Sequence, residues 1–313
     1  MINISKDNPR GIVWIASYPR SGNTWTRAFI NGLTRIMEDP DAEDIDLGSV
    51  SQWSVSERLL TRYTPFLGKP ATAATPAEIA AVRPRVQASI AAAAPGIVFV
   101  KTHNANGKDF GVPLINKAAS AGAIYIVRNP LDVAISYAAF SNASIDEAIR
   151  TMATEGWGIQ STAESARVIS GSWSQNVASW TDHPNPAVLA VRYEDMLDRP
   201  DSTFARIARH IRLKPNNSQI RRAVAMTDFD RLRAGEAKSG FAEKPNTADT
   251  FFRAGRAGQW QETLSPEQVA TIVADHGRMM ARFDYIPPEY RTAAQDGAKR
   301  LDSAAKGRHG RSR

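Results

Sequence analysis

The chain has 313 residues, no cysteine and a formal net charge of +7, enough length for one large α/β domain or two small ones. The missing cysteine excludes disulfides, zinc–thiolate sites, iron–sulfur clusters and a thiol nucleophile. No apolar run approaches the length that crosses a bilayer, and the basic excess sits mostly at one end. From Arg291 onward the tail carries +5 of the +7, so neither a nucleic-acid nor an integral-membrane partner is expected. Residues 291–313 read as a basic, disordered tail behind a single domain spanning 1–290. The opening Met1–Arg10 is polar and lacks a secretory apolar stretch, so a cytoplasmic location is expected.

Four short apolar runs follow in order: Gly11–Ala16, Gly96–Val100, Ala123–Val127 and Ala187–Val191. Each comes soon after Gly or Pro and is rich in β-branched residues, as buried strands are. Their unbroken apolarity predicts a parallel sheet covered on both faces. Helical segments such as Trp25–Met37 and Ser202–Ile211 lie between them, which gives a single-domain, doubly wound α/β fold of the P-loop type. Polar clusters follow each run at once: residues 17–24, 101–103, 128–130 and 192–195. Ligands bind beyond the carboxyl ends of parallel strands, so the four clusters meet at one edge.

In the first cluster, a strand, a loop with Gly22 and a helix beginning near Trp25 present backbone N–H groups to an anion. Arg20 adds positive charge, and Ser21, Asn23 and Thr24 add donors; alternatively Asn23 or Thr24 simply caps the helix. There is no Gly-Lys-Ser/Thr ending and no acidic strand end to hold magnesium, and no metal-ligand cluster appears anywhere. In Arg128-Asn-Pro-Leu-Asp132, Asn129 suits an N-cap, Pro130 the first turn, and Asp132 the place of a capping-box acid. Arg128 is left beside a positive helix end, which calls for an anion. Lys101 and His103 share one face of the second strand and Thr102 takes the other. His183, His210, His276 and His309 read as structural.

The string Tyr18-Pro-Arg-Ser-Gly-Asn-Thr-Trp25 resembles the 5′-phosphosulfate loop of PAPS-dependent sulfotransferases (PAPS, 3′-phosphoadenosine 5′-phosphosulfate), usually Tyr-Pro-Lys-Ser-Gly-x-Thr-Trp. The resemblance implies that Ser21, Gly22, Asn23 and Thr24 hold the 5′-phosphate and that Trp25 packs on the adenine. Arg128 and Ser136 match the pair that binds the 3′-phosphate. Lys101-Thr102-His103 resembles the family's catalytic segment, with His103 as base. Tyr193, Thr227 and Phe229 match residues that meet the adenine, Asp228 standing for a serine. Arg253-Ala254-Gly255, with Gly258 and Trp260, resembles the loop that closes over the 3′-phosphate; Arg256 keeps it basic although Ala254 replaces a lysine. Gly171-Ser-Trp173 and Trp180 resemble a further family segment in which Asn176 stands where histidine is common.

The resemblance runs from residue 11 to about 260. Residues 40–95 and 138–170 fall outside it and correspond to the acceptor pocket and its gates. The implied activity is sulfuryl transfer from PAPS to a hydroxyl of a small-molecule, glycan or natural-product acceptor. Arg20 and Lys101 would meet the developing charge, and His103 would take the acceptor proton. Two rivals are a P-loop small-molecule kinase and a non-catalytic nucleotide-binding module.

Overall fold

The computed structural model describes residues 10–244 and 249–291; nearly all of the basic tail lies outside them. Five parallel strands form the main sheet among the described residues: β1 (Gly11–Ser17), β2 (Val55–Ser56), β3 (Ile97–Thr102), β4 (Ser120–Val127) and β5 (Val188–Arg192), in the spatial order β2-β3-β1-β4-β5. All four apolar runs are strands, and the parallel, doubly wound arrangement is the one their patterning predicts. β2 is new. It has two residues and no apolar run, and its pairing with Val100 and Lys101 defines it.

Both faces of the sheet are covered, which explains the unbroken apolar runs. Ile12, Trp14 and Ala16 of β1 point to one face with Ala123, Tyr125 and Val127 of β4. There they pack against α2 (Pro76–Ala92), α3 (Pro130–Ser141), α4 (Trp173–Thr181) and α7 (Pro266–Arg282). Val13, Ile15, Ile124, Ile126 and Val191 point the other way. They meet α1 (Asn23–Glu38), α5 (Pro200–His210) and α6 (Asn217–Met226). Trp14 is wholly buried, yet its indole N–H is satisfied at 2.7 Å by Ser120 Oγ.

From β1 the chain first builds β3 on one side and then crosses to place β4 on the other. That reversal opens a crevice at the carboxyl ends of β1 and β4, where ligands bind in open α/β sheets. The loops after β1, β3 and β4 all end there.

Segments 40–95 and 138–170 are joined to each other. The N–H of Leu60 donates to the Glu164 carbonyl, that of Ala166 to the Arg58 carbonyl, and Leu59 bridges Ser165. Beneath this seam lies a buried network. Glu57 accepts from Arg83 (3.3 Å), Gln87 (2.6 Å) and Asn104 (2.7 Å), and Arg83 also donates to the Arg167 carbonyl.

Candidate active site

The loop between β1 and α1 turns through two residues in the left-handed region, Arg20 at φ 66° and Gly22 at φ 100°. A Cβ on Gly22 would lie 2.7 Å from the Tyr193 ring, so the turn needs glycine both for its angle and for its neighbour. Neither Asn23 nor Thr24 caps the helix. The N-cap is Gly22, with no side-chain bond and no acid in the first turn. Asn23 instead faces inward, its amide donating to the Ile15 carbonyl at 2.8 Å. The first N–H groups of α1 are thus left for an anion. Ser21 Oγ, Trp25 Nε1 and Arg128 Nε are buried and have no hydrogen-bond partner among the described residues. Buried orphans of this kind are uncommon, and these three surround a place where a phosphorylated nucleotide would supply acceptors. The residues present fit the donor.

Cations around the crevice form two clusters. In the first, Arg128 donates to the carbonyls of Arg20 (3.0 Å) and Arg256 (3.1 Å) and lies 4.4 Å above the Tyr193 ring. Arg20 donates to Ser136 Oγ at 3.1 Å and to the Phe251 carbonyl at 3.0 Å, its guanidinium set between the rings of Phe140 and Phe251. Burial, then the charges of Arg128 and Arg253, bring its pKa down to about 10. Arg20, Ser136, Phe140, Asp249, Thr250 and Arg253 line a cleft of about 210 Å³. Arg20, expected at the developing charge, turns its side chain to the Ser136 side, among residues expected at the 3′-phosphate, because its positive φ and the two phenylalanines direct it there.

The second cluster is Lys101 and Arg27, both bound to the Glu243 carboxylate. Lys101 Nζ lies 2.6 Å from Oε2, and the Arg27 nitrogens lie 2.7 Å from each oxygen. Burial alone would raise the Glu243 carboxyl, but Lys101 and Arg27 outweigh it and hold it far below the carboxylate range. Neither Arg27 nor Glu243 was legible as a site residue. The available signal for Arg27 was a cation on the buried side of an amphipathic helix.

His103 sits beside Lys101. Its Nδ1 is 2.9 Å from the Ser17 carbonyl oxygen, which can only accept, so Nδ1 carries the proton and Nε2 is the free base. Burial, then the Lys101 charge, lowers its pKa to about 3. Asn176 donates to the carbonyls of His103 (3.2 Å) and Ser170 (2.9 Å) and accepts from the Tyr125 hydroxyl, which fixes the backbone just past the end of β3. His210 and His276 are structural as expected, bonded to the Ala123 carbonyl and to Ser174.

The remaining residues surround the first cluster. Trp25 meets Tyr193 edge-on at 5.9 Å. Gly255 lies so close to Phe229 that a Cβ would come within 2.2 Å of the ring. Arg253 is bonded to Gln259, and Ala254 is half-buried in the same loop. Thr227 is fully buried and its hydroxyl bonds the Ala223 carbonyl, which directs it into its own helix. Asp132 is not a capping acid. Asn129 caps α3 and takes its own N–H partner from Glu194. Asp132 instead accepts from the N–H groups of Gly258 (2.7 Å) and Trp260 (3.1 Å), tying the 253–260 loop to the helix that follows Arg128.

A family model for the sulfotransferase domain matches residues 10–284. The chain belongs to the sulfotransferase-domain family. It is 24% identical to sulfotransferase 1B1 of Canis lupus familiaris over 266 residues, covering 81% of this chain and 78% of that one. It is likewise 24% identical to sulfotransferase 1A1 of the same species over 273 residues, covering 85% and 82%. Among solved structures it is similar to mouse sulfotransferase SULT7A1 complexed with PAP (TM-score 0.56, 18% identity, 96% and 91% covered). It is also similar to retinol dehydratase in a complex with retinol and PAP (TM-score 0.58, 20% identity, 89% and 84% covered). The activity is therefore PAPS-dependent sulfuryl transfer, and the kinase and binding-module readings fall away.

Proposed function

We propose that this sulfotransferase acts on a hydroxyl of a small-molecule acceptor, in the cytoplasm, with His103 as general base. The observation that carries the reading is the His103 tautomer. With Nδ1–H given to the Ser17 carbonyl, Nε2 is the basic atom at the end of β3, beside the Lys101 ammonium. His103 Nε2 takes the acceptor O–H proton as the acceptor oxygen forms a bond to sulfur and the bond from sulfur to the bridging phosphate oxygen breaks. Lys101 stabilises the charge on the transferring group, and adenosine 3′,5′-bisphosphate (PAP) departs. Arg128, Ser136, Arg20 and Arg253 hold the 3′-phosphate; Ser21, Gly22, Thr24 and the start of α1 hold the 5′-phosphate. Trp25, Tyr193 and Phe229 flank the base.

The seam between 40–95 and 138–170 supports reading those segments as one acceptor wall. Exposed Leu59 and Ile159 on them give it apolar surface, which favours an acceptor with apolar body over a heavily hydrated glycan. Among the described residues no helix is long and apolar enough to cross a membrane.

The test is calorimetric titration with PAP and with ATP, without magnesium. PAP should bind, ATP should bind far more weakly, and Arg128→Ala should weaken PAP by at least about tenfold, the scale of one lost charge-assisted pair. Preference for ATP, or indifference to Arg128→Ala, would refute the donor-site assignment.

A further inference from the structure

We infer that Arg27 is a second cation for the transferring sulfuryl group, sharing with Lys101 an anion site on which the Glu243 carboxylate stands in for that group. The inference rests on the reading that Lys101 faces the sulfuryl group. A guanidinium as buried as this one, with 1% of its side chain exposed, requires an anion. Glu243 supplies it from a segment 216 residues further along the chain.

The contact is a fork. Both terminal nitrogens of Arg27 meet the two carboxylate oxygens at 2.7 Å, and Lys101 reaches one of the same oxygens at 2.6 Å. Ser51 Oγ adds a longer contact at 3.4 Å. Two cations converging on one oxyanion group is the arrangement a sulfuryl group, with its three oxygens, would also satisfy.

Placement singles out that group rather than another anion. Arg27 hangs from the first turns of the phosphate helix. Its Nε is 3.1 Å from Asn23 Oδ1, and a terminal nitrogen is 3.1 Å from Thr24 Oγ1. Lys101 comes from the strand Ile97–Thr102, which His103 directly follows. The Glu243 carboxylate is therefore held by one cation from the phosphate-loop helix and one from the strand that leads to the proposed base, the two elements between which sulfuryl transfer would take place. The carboxylate and the sulfuryl group would compete for the same two cations, and displacing Glu243 frees the Arg27 fork.

PAPS and PAP differ only in the sulfuryl group, and their comparison isolates this site without an acceptor. The full-length chain, Arg27→Gln, Arg27→Lys and Glu243→Gln would each be titrated with both nucleotides, and acceptor-free hydrolysis of PAPS followed in parallel. Arg27→Gln should weaken PAPS about tenfold more than PAP, with Arg27→Lys between it and the parent, since lysine keeps the charge but loses the fork. Glu243→Gln should tighten PAPS more than PAP, because only PAPS must displace the carboxylate. Hydrolysis should fall in the two Arg27 variants. Equal changes for PAP and PAPS would overturn the inference, assigning Arg27 to the 5′-phosphate or to the fold. If Arg27→Gln does not fold, Arg27→Lys and Glu243→Gln decide alone. A parent protein that binds neither nucleotide would strike the donor-site reading itself, a distinct failure.

Discussion

His103 illustrates how the surroundings of one side chain set its chemistry. Burial and the Lys101 charge favour neutral imidazole, with the folded pKa near 3 against an ordinary 6.5. Between those values the unfolded chain takes up a proton that the folded chain refuses, so this residue's contribution to stability falls as pH drops from 6.5 toward 3. The same shift keeps Nε2 unprotonated in the free enzyme through the neutral range. The value of kcat/KM for PAPS, which reports the free enzyme, should show no histidine inflection down to about pH 5. The value of kcat should turn down at higher pH, because the bound donor's negative charge favours imidazolium. An inflection near 6.5 in the kcat/KM profile would contradict this assignment. His103→Ala should lower transfer about 10²–10⁴-fold while leaving PAP affinity close to the parent's; loss of PAP binding with it would mean that His103 shapes the donor site instead.

At the scale of elements, the 253–260 loop is held by one carboxylate. Asp132 takes two of its N–H groups, and Arg128, four residues earlier, takes the Arg256 carbonyl. Asp132→Ala should release the loop and weaken PAP roughly tenfold or more, since bonds to a charged acceptor contribute about 1.5–3 kcal/mol each. Amide exchange should accelerate at Gly258 and Trp260 while the sheet stays protected. Unchanged exchange there would show that other contacts hold the loop. This element also marks the limit of what the sequence discloses. The Arg128–Asp132 string was recognisable because its residues are contiguous, yet local spacing pointed Asp132 at its own helix start. Its true partners are 126 and 128 residues away. Glu243 is hidden for the same reason, its partners Arg27 and Lys101 lying 216 and 142 residues off. The four long strands were legible because each buried run is dictated by its own composition, whereas β2 depends wholly on its neighbour.

Across the whole molecule, the Glu57 network joins the segments that lack family motifs to the backbone beside the proposed base, His103. Glu57 and Arg83 are both essentially unexposed, and Asn104, which Glu57 holds, follows His103 directly. Removing one member of a buried pair leaves the other uncompensated, so Glu57→Ala should cost about 3–5 kcal/mol. Urea unfolding would read it as a lower midpoint, and a midpoint within experimental error of the parent's would show that solvent reaches Arg83.

The donor cleft draws on both early and late parts of the chain: Arg20 follows the first strand, while Phe251, which receives its hydrogen bond, comes after the last strand. A ribosome delivers residues in order, so the sheet is complete at Arg192, roughly sixty residues of synthesis before the cleft gains that wall. The sheet must therefore assemble with no help from the nucleotide, and the helix Pro266–Arg282 that covers one of its faces is made later still. PAPS or PAP in the cell can protect finished molecules from unfolding but cannot rescue those still being made.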